Sequence, residues 1–267
     1  MISLFTTFYN EKNVIRRDEL LFCLQKNIEN RWIDRIYILD ESNDDLNNPK
    51  IILKKLKRRP FFNDFLNIVN QNTGNDDINI ISNTDIYFDD TLKTISKISD
   101  HSLCLALNRW NVLNNTIKFE IGFGQDTWIF KGQIRDNIEA FFFNGLPASD
   151  NRFAFELRKV GYKVINPSLS VKSFHMHNSR IRSYQSEVLI PGPYYYPLPA
   201  IIFSTNSKLQ LKQFVLWIII RIRFFNDFCF TVIDRKKYRI FRKRVIDFNK
   251  VHFPFLIALI KKLKNIY

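Results

Sequence analysis

Glycine, histidine, cysteine and methionine are all scarce in this chain of 267 residues, at seven, four, three and two copies. So few glycines exclude a flexible-linker or low-complexity protein, and a 46% hydrophobic composition with 26 phenylalanines can fill a core. Cys23, Cys104 and Cys229 lie far apart, with neither zinc-site spacing nor the density of a disulfide framework, and fit a reducing compartment. No window offers the about 18 uncharged apolar residues that a membrane-spanning helix needs. The opening MISLFTTFYNEKN has no basic stretch leading into a long apolar run, so no signal peptide is expected. TTFYNEKN also contains no glycine, which counts against the phosphate loop of a nucleotidyltransferase on a similar α/β sheet.

What is abundant is positive charge, and it is unevenly placed. The net charge is +14, yet residues 205–267 hold 15 of the 40 basic residues and only three of the 26 acidic ones. A nearly neutral body therefore carries a basic tail suited to a polyanion, either nucleic acid or an anionic membrane face. No zinc module or other nucleic-acid-binding signature accompanies it, so nucleic acid is not the expected partner. FVLWIIIRIRFF, with Trp217, Arg221 and Arg223, fits a helix lying in a membrane interface, and DRKKYRIFRKR adds attraction to anionic lipid. The plain alternative is a helical subdomain with a solvated basic face.

ISLFTTFY reads as a buried strand, RRDELLFCLQKNIEN as a helix with Leu20, Leu21, Leu24 and Ile28 at helical spacing, and IDRIYILDE as a second strand. PKIILKKLKRRP is expected as a helix continued by FFNDFLNIVNQ, INIISNTDIYF as a third strand, DDTLKTISKIS as a short helix capped by Asp89 or Asp90, and SLCLALNRW as a fourth strand. NNTIKFEIGFGQDTWIFKG suggests two short strands. ASDNRFAFELRKVGYKV is a helix capped by Ser149 or Asp150 and ended by Gly161. Alternating strands and helices predict an α/β fold with a mainly parallel open sheet, whose ligands bind beyond the carboxyl ends of the strands. PGPYYYPLPA is the candidate boundary, giving residues 1–190 as the α/β domain and 191–267 as a basic, aromatic-rich helical region.

Polar residues after apolar runs are therefore where chemistry is sought. In SNTDIYFDD, Asn83 and Asp85 would share one face of a strand and could aim oxygen at a cation; a solvated strand end with a helix cap explains the same residues. His175 and His177 in HMH are a pair of candidate metal ligands or surface histidines. Asp150 is a helix cap or a general base. Asp126, entering an apolar strand, needs a partner, whereas Trp128 beside it suits a core.

Taken in order over roughly residues 1–180, these segments resemble the GT-A fold glycosyltransferases, particularly family-2-like bacterial enzymes of surface polysaccharide biosynthesis. The resemblance implies nucleotide-binding roles for Thr7, Phe8, Tyr9 and Glu11 in TTFYNE, for Asp40 in ILDES and for Asn83. It implies a divalent cation, Mn2+ or Mg2+, on Asp85 with His175 or His177 in SNTDIYFD and HMH. It places Asp126, Trp128 and Arg109 near the donor or acceptor sugar and makes Asp150 the base in GLPASDNRFAFELRKVGYKV. The expected reaction moves a sugar from a nucleoside-diphosphate donor, UDP-sugars favoured, to a hydroxyl of a glycan or lipid-linked acceptor with inversion, on the cytoplasmic face of the membrane. Asn83 stands where the family has its first acid, and Ser149-Asp150 where it has paired acids. A relative that binds sugar or nucleotide without turnover is the alternative.

Overall fold

The computed structural model describes residues 1–42, 46–114, 116–120, 124–176, 178–179, 189–200 and 230–232. Strand β1 (Ile2–Phe8) leads to α1 (Val14–Glu29), then β2 (Arg35–Asp40), β3 (Ile51–Lys55), α2 (Phe62–Asn72), β4 (Ile78–Ser82) and β5 (Ile86–Phe88). A 3-10 helix (Asp90–Lys97) precedes β6 (Leu103–Leu107), β7 (Arg109–Leu113), β8 (Thr116–Phe119) and β9 (Thr127–Lys131). Helix α3 (Ser149–Lys159), β10 (Lys163–Ile165), β11 (Ser173–Met176), β12 (Tyr194–Tyr196) and β13 (Phe230–Val232) follow.

Seven strands form the main sheet in the order β10-β6-β9-β4-β1-β2-β3. All pair in parallel except β9, which runs antiparallel to both β4 and β6. This is the expected α/β, mainly parallel open sheet. Its central strands β1 and β4 are buried along their whole length, as expected where helices cover both faces. Alternation sends Phe5, Tyr37, Ile81, Trp128 and Phe130 to the α2 and α3 side, and Leu4, Ile38, Ile80, Leu105 and Ile129 to the α1 side.

Four expected elements take another form. PKIILKKLKRRP is not helical at its apolar end: Ile51–Lys55 is edge strand β3, in parallel register with β2. Its β-branched pair decides this, since Ile51 packs on one core layer and Ile52 on the other, as strand alternation requires. INIISNTDIYF is two strands, because Asn83-Thr84-Asp85 turns the chain out of the main sheet into a second one, ordered β5-β11-β7-β8. SLCLALNRW likewise breaks at Asn108 and contributes β6 to one sheet and β7 to the other. Helix α3 is capped by neither Ser149 nor Asp150: Ala148 occupies the cap at φ 65° and makes no side-chain bond. Its other end is as expected. Gly161, at φ 90°, closes a Schellman motif in which its N–H reaches the Arg158 carbonyl and that of Tyr162 reaches Leu157.

The proline-rich segment packs on the sheet domain. Tyr194, Tyr195 and Tyr196 are buried, β12 pairs antiparallel with β13, and the Ala200 N–H bonds the Asn166 carbonyl at 2.7 Å. The basic helices expected beyond residue 204 lie outside the described residues. No helix among the described residues is long and apolar enough to cross a membrane.

Trp128 is 1% exposed, edge-on to Phe62 at 5.0 Å and to Phe153 at 5.4 Å. Strand alternation turns it under α2 and α3, so it does not line a sugar pocket, which corrects that expectation. Trp128→Ala is expected to cost about 3–5 kcal/mol in chemical denaturation, the range for large aromatic truncation in a core; a pocket-lining ring would cost far less.

Candidate functional site

The edge where β1, β2, β4 and β6 end is also where β9 begins, because β9 runs the other way. Ser82 pairs with Thr127, and Leu107 with Thr127 from the other side. The residues just beyond these pairs, Asn83, Asp126 and Arg109, are thereby brought together. Asn83 Nδ2 donates to Asp126 Oδ1 at 2.8 Å, and an Arg109 guanidinium nitrogen to Asp126 Oδ2 at 3.0 Å. Asp126, 8% exposed, thus has both oxygens engaged and the partner that burial demands. Arg109 also donates through Nε to Glu120 Oε2 at 2.7 Å. Asp126 above all, with Glu120, holds its guanidinium above the ordinary value against the effect of burial.

Asn83 and Asp85 do not share a strand face, since both lie in the turn between β4 and β5. Asp85 points the other way, toward α1 and the second sheet. Its Oδ2 accepts from Arg16 and from His175 Nε2, the latter at 3.2 Å. Burial works to raise the Asp85 carboxyl, but His175 and Arg16 hold it well below the usual carboxylate range. Arg16, 7% exposed, donates in addition to Glu19 Oε2 at 2.9 Å and to the Met176 carbonyl at 3.0 Å. Glu19 then accepts from the Ser179 N–H at 2.7 Å and the Ser179 hydroxyl at 2.8 Å. His175 Nδ1 lies 3.0 Å from Asn111 Oδ1, and Asn111 Nδ2 donates to Glu120 Oε2 at 2.9 Å. Glu120, an acceptor for both Arg109 and Asn111, links the two arms.

This bonding orients the imidazole. Glu120 accepts only, so the Asn111 amide nitrogen faces it and the amide oxygen faces His175. Nδ1 of His175 is therefore a donor, and its Nε2 faces the Asp85 carboxylate. The expected cation site thus does not fit these residues. Asp85 Oδ2 is already taken by Arg16 and faces His175 Nε2; the other histidine candidate, His177, lies outside the described residues. No cluster of three or more His, Cys, Asp or Glu side chains suited to a metal ion occurs among the described residues. Asn83 Oδ1 and Asp85 Oδ1 are buried acceptors with no partner among the described residues.

The base candidate stands apart from this network. Asp150 is half-buried at the first turn of α3, and its Oδ2 accepts from the Gln125 N–H at 2.9 Å instead of capping its own helix. A Cβ on Gly124 would come 3.1 Å from that oxygen, so glycine lets the loop lie against it. The Asn151 amide donates to Gln125 Oε1 at 3.1 Å, fixing the same loop.

The nucleotide-binding expectations divide. The hydroxyls of Thr7 and Thr84 are 2.6 Å apart, and Thr84 Oγ1 donates to the Thr7 carbonyl at 2.9 Å, which ties the end of β1 to the Asn83–Asp85 turn. Tyr9 and Glu11 are half-buried in the loop before α1, where Glu11 Oε1 accepts from the Asn13 N–H at 2.9 Å. Phe8 is core, packed toward α1, and is corrected accordingly. Asp40 is fully buried and committed within the protein: Oδ1 accepts from the Ser42 N–H and hydroxyl, both at 2.7 Å, and Oδ2 from Lys55. Burial opposes its charge, but Lys55 and Ser42 keep it below the ordinary carboxylate value. The half-buried carboxyl at this strand end is its neighbour Glu41, pushed up chiefly by burial.

Arg16, Glu19, Thr84, Asn111, Glu120 and Gln125 were not singled out from sequence. Arg16 and Glu19 carried a signal: they fall on the same stripe of α1 as buried Leu20, Cys23 and Leu24. Asn111 and Glu120 carried none, since their meeting depends on the pairing of β7 with β8.

No family model matches this sequence, and no curated protein does. Solved structures similar to the chain include a mannosyltransferase from Pyrobaculum calidifontis in complex with GDP-Man and Mn2+, at 16% identity and TM-score 0.47, covering 68% of this chain and 58% of that one. GalNAc-T7 with UDP, GalNAc and Mn2+ is similar at 13% identity and TM-score 0.46, covering 84% and 50%. S. aureus TarS 1-349 in complex with UDP-GlcNAc is similar at 13% identity and TM-score 0.43, covering 83% and 66%. The chain spans between half and two thirds of the length of these three structures.

Removing one partner of a buried pair strands the other, so Arg16→Met is expected to cost about 3–5 kcal/mol by chemical denaturation. Asp85 has a lowered folded-state pKa, so its contribution is present above the ordinary value of 3.8 and is lost as pH falls below it. The stability of Asp85→Asn, followed against pH below that value, is therefore expected to fall less steeply than that of the wild type, by up to about one bound proton.

Proposed function

We propose that this chain is a glycosyltransferase that moves a sugar from a nucleoside-diphosphate donor, UDP-sugars favoured, to a hydroxyl of a growing surface glycan or lipid-linked acceptor. The observation that carries the reading is the division of labour between two carboxylates at one sheet edge. Asp126 is buried and doubly bonded, so it positions. Asp150 is half-buried on a helix N-terminus with its loop held against it, so it is the carboxylate an acceptor can reach. The donor lies across the ends of β1, β2 and β4, the usual ligand crevice of an open α/β sheet. Thr7, Thr84, Tyr9 and Glu41 are there to meet the nucleotide.

The reaction balances without a covalent intermediate. Asp150 takes the acceptor hydroxyl proton as that oxygen forms its bond to the anomeric carbon. The bond from the anomeric carbon to the phosphate oxygen breaks on the opposite face, and the nucleoside diphosphate leaves with the electron pair. One base on one face implies inversion. Contact of residues 205–267 with anionic lipid would hold the enzyme near a lipid-linked acceptor, at the inner face of the cell membrane.

The test is nucleotide release from a panel of UDP-, GDP- and dTDP-sugars by the full chain, with Asp150→Asn alongside. One donor is expected to turn over, and Asp150→Asn to lower the rate at least about 100-fold, the range of general-base removal, while nucleotide affinity by calorimetry stays within a few-fold. Binding without release would leave a sugar- or nucleotide-binding relative, and absence of both binding and release would end the transferase reading.

A further inference from the structure

The cluster around Asp85 occupies the place where the sequence leads one to expect a metal, and it is already satisfied by the chain itself. We propose that Asp85 is an internal brace closed by Arg16 and His175, and that nucleotide capture at this edge is independent of a divalent cation. The identity of the captured anion rests on the reading above; the account of Asp85 does not.

Three features support it. First, Asp85 Oδ2 accepts from a guanidinium and faces an imidazole nitrogen, and both of those groups are anchored behind it, Arg16 by Glu19 and Met176 and His175 by Asn111. A cation at that oxygen would have to displace Arg16 from a buried position and leave Glu19 as its one carboxylate partner. Disrupting one member of such a buried pair is strongly destabilising, and a hydrated divalent ion would bring its own dehydration cost. Second, the residue two before Asp85 is Asn83, whose amide donates to Asp126 at 2.8 Å. A carboxylate there would face Asp126 across that distance; the amide converts a repulsion into a bond and removes a ligand charge. Third, the acceptors left over at the turn, Asn83 Oδ1 and Asp85 Oδ1, are one amide and one carboxylate oxygen, each buried. Each of these is satisfied by a single O–H or N–H donor.

The brace has a structural consequence. It ties α1 to the β4–β5 turn through Arg16 and Asp85, to β11 through His175 and Met176, to β7 through Asn111, and to Ser179 through Glu19. The turn that faces the donor is thus held by charge pairs already in place, with no ion needed to order it.

The experiment is Mn2+ binding to the full chain, read by loss of the free-ion EPR signal, with and without UDP or GDP, paired with calorimetry of each nucleotide in EDTA and in Mn2+. The expected result is no stoichiometric Mn2+ site in the protein alone and nucleotide affinities that agree within about threefold between the two conditions. Arg16→Met, or Arg16→Lys if the first variant fails to fold, is expected to lower the melting temperature without creating a dependence on metal. A stoichiometric Mn2+ site lost in Asp85→Asn, His175→Ala or His177→Ala would overturn the proposal, and so would a tenfold or greater fall in nucleotide affinity in EDTA. If neither nucleotide binds, the donor reading fails, and the Mn2+ titration of the protein alone still decides whether Asp85 is a brace.

Discussion

Strand β9 enters the main sheet against the direction of its neighbours, pairing Thr127 with Ser82 on one side and Leu107 on the other. In a wholly parallel sheet one edge collects only strand ends. Here the same edge also collects a strand start, and with it the loop from Gly124 to Asp126. The carboxylate of Asp126 therefore sits between Asn83 after β4 and Arg109 after β6. Asp150 reaches the adjoining loop from the start of α3. The meeting of Asp126 with Asn83 and Arg109, and of its loop with Asp150, depends on that reversal, since a parallel β9 would carry Asp126 to the opposite edge of the sheet.

Gathering charge at a buried edge has an energetic cost that only mutual satisfaction offsets. Arg16 and Arg109 face four carboxylates, Asp85, Glu19, Glu120 and Asp126, through bonds that share acceptors. Such a network gives less net stability than the same volume of apolar packing, but it fixes side chains in one arrangement. The core beneath it, where Phe62, Trp128 and Phe153 pack ring against ring, is the part that offsets the cost.

What could be read from the sequence were the features that depend on local pattern. The apolar runs at Ile2–Phe8 and Ile78–Ser82, the stripe of α1, the glycine stop after α3 and the carboxylates at strand ends are all set within a few residues. Features that depend on pairing were not legible. Ile51–Lys55 has spacing compatible with a helix, and only its place beside β2 makes it a strand. Trp128 and Phe8 are aromatic residues next to polar ones, a pattern shared by pockets and cores. Asp85 looked like a metal ligand because the partner that occupies it, Arg16, is 69 residues away in sequence. Asp40 looked like a ligand reader for the same reason, with Lys55 hidden in a misassigned helix.

The break at Asn108 shows how one residue can serve both sheets. Its backbone N–H and side chain meet Asn166, whose amide also reaches the Pro197 carbonyl at 2.9 Å. This clamp turns the chain from β6 into β7, so Arg109 and Asn111, two residues apart on one face of β7, both point to Glu120. Arg109 then serves the main-sheet edge through Asp126, and Asn111 serves the second sheet through His175. Glu120 is the sole acceptor common to these two arms among the described residues, so the position of Asp126 and that of Asp85 are coupled through one carboxylate oxygen. A shift of β7 would disturb both together. The sheet edge at Asp126 and the Asp85 cluster behind it are therefore one mechanical unit, built from residues that no short stretch of sequence contains.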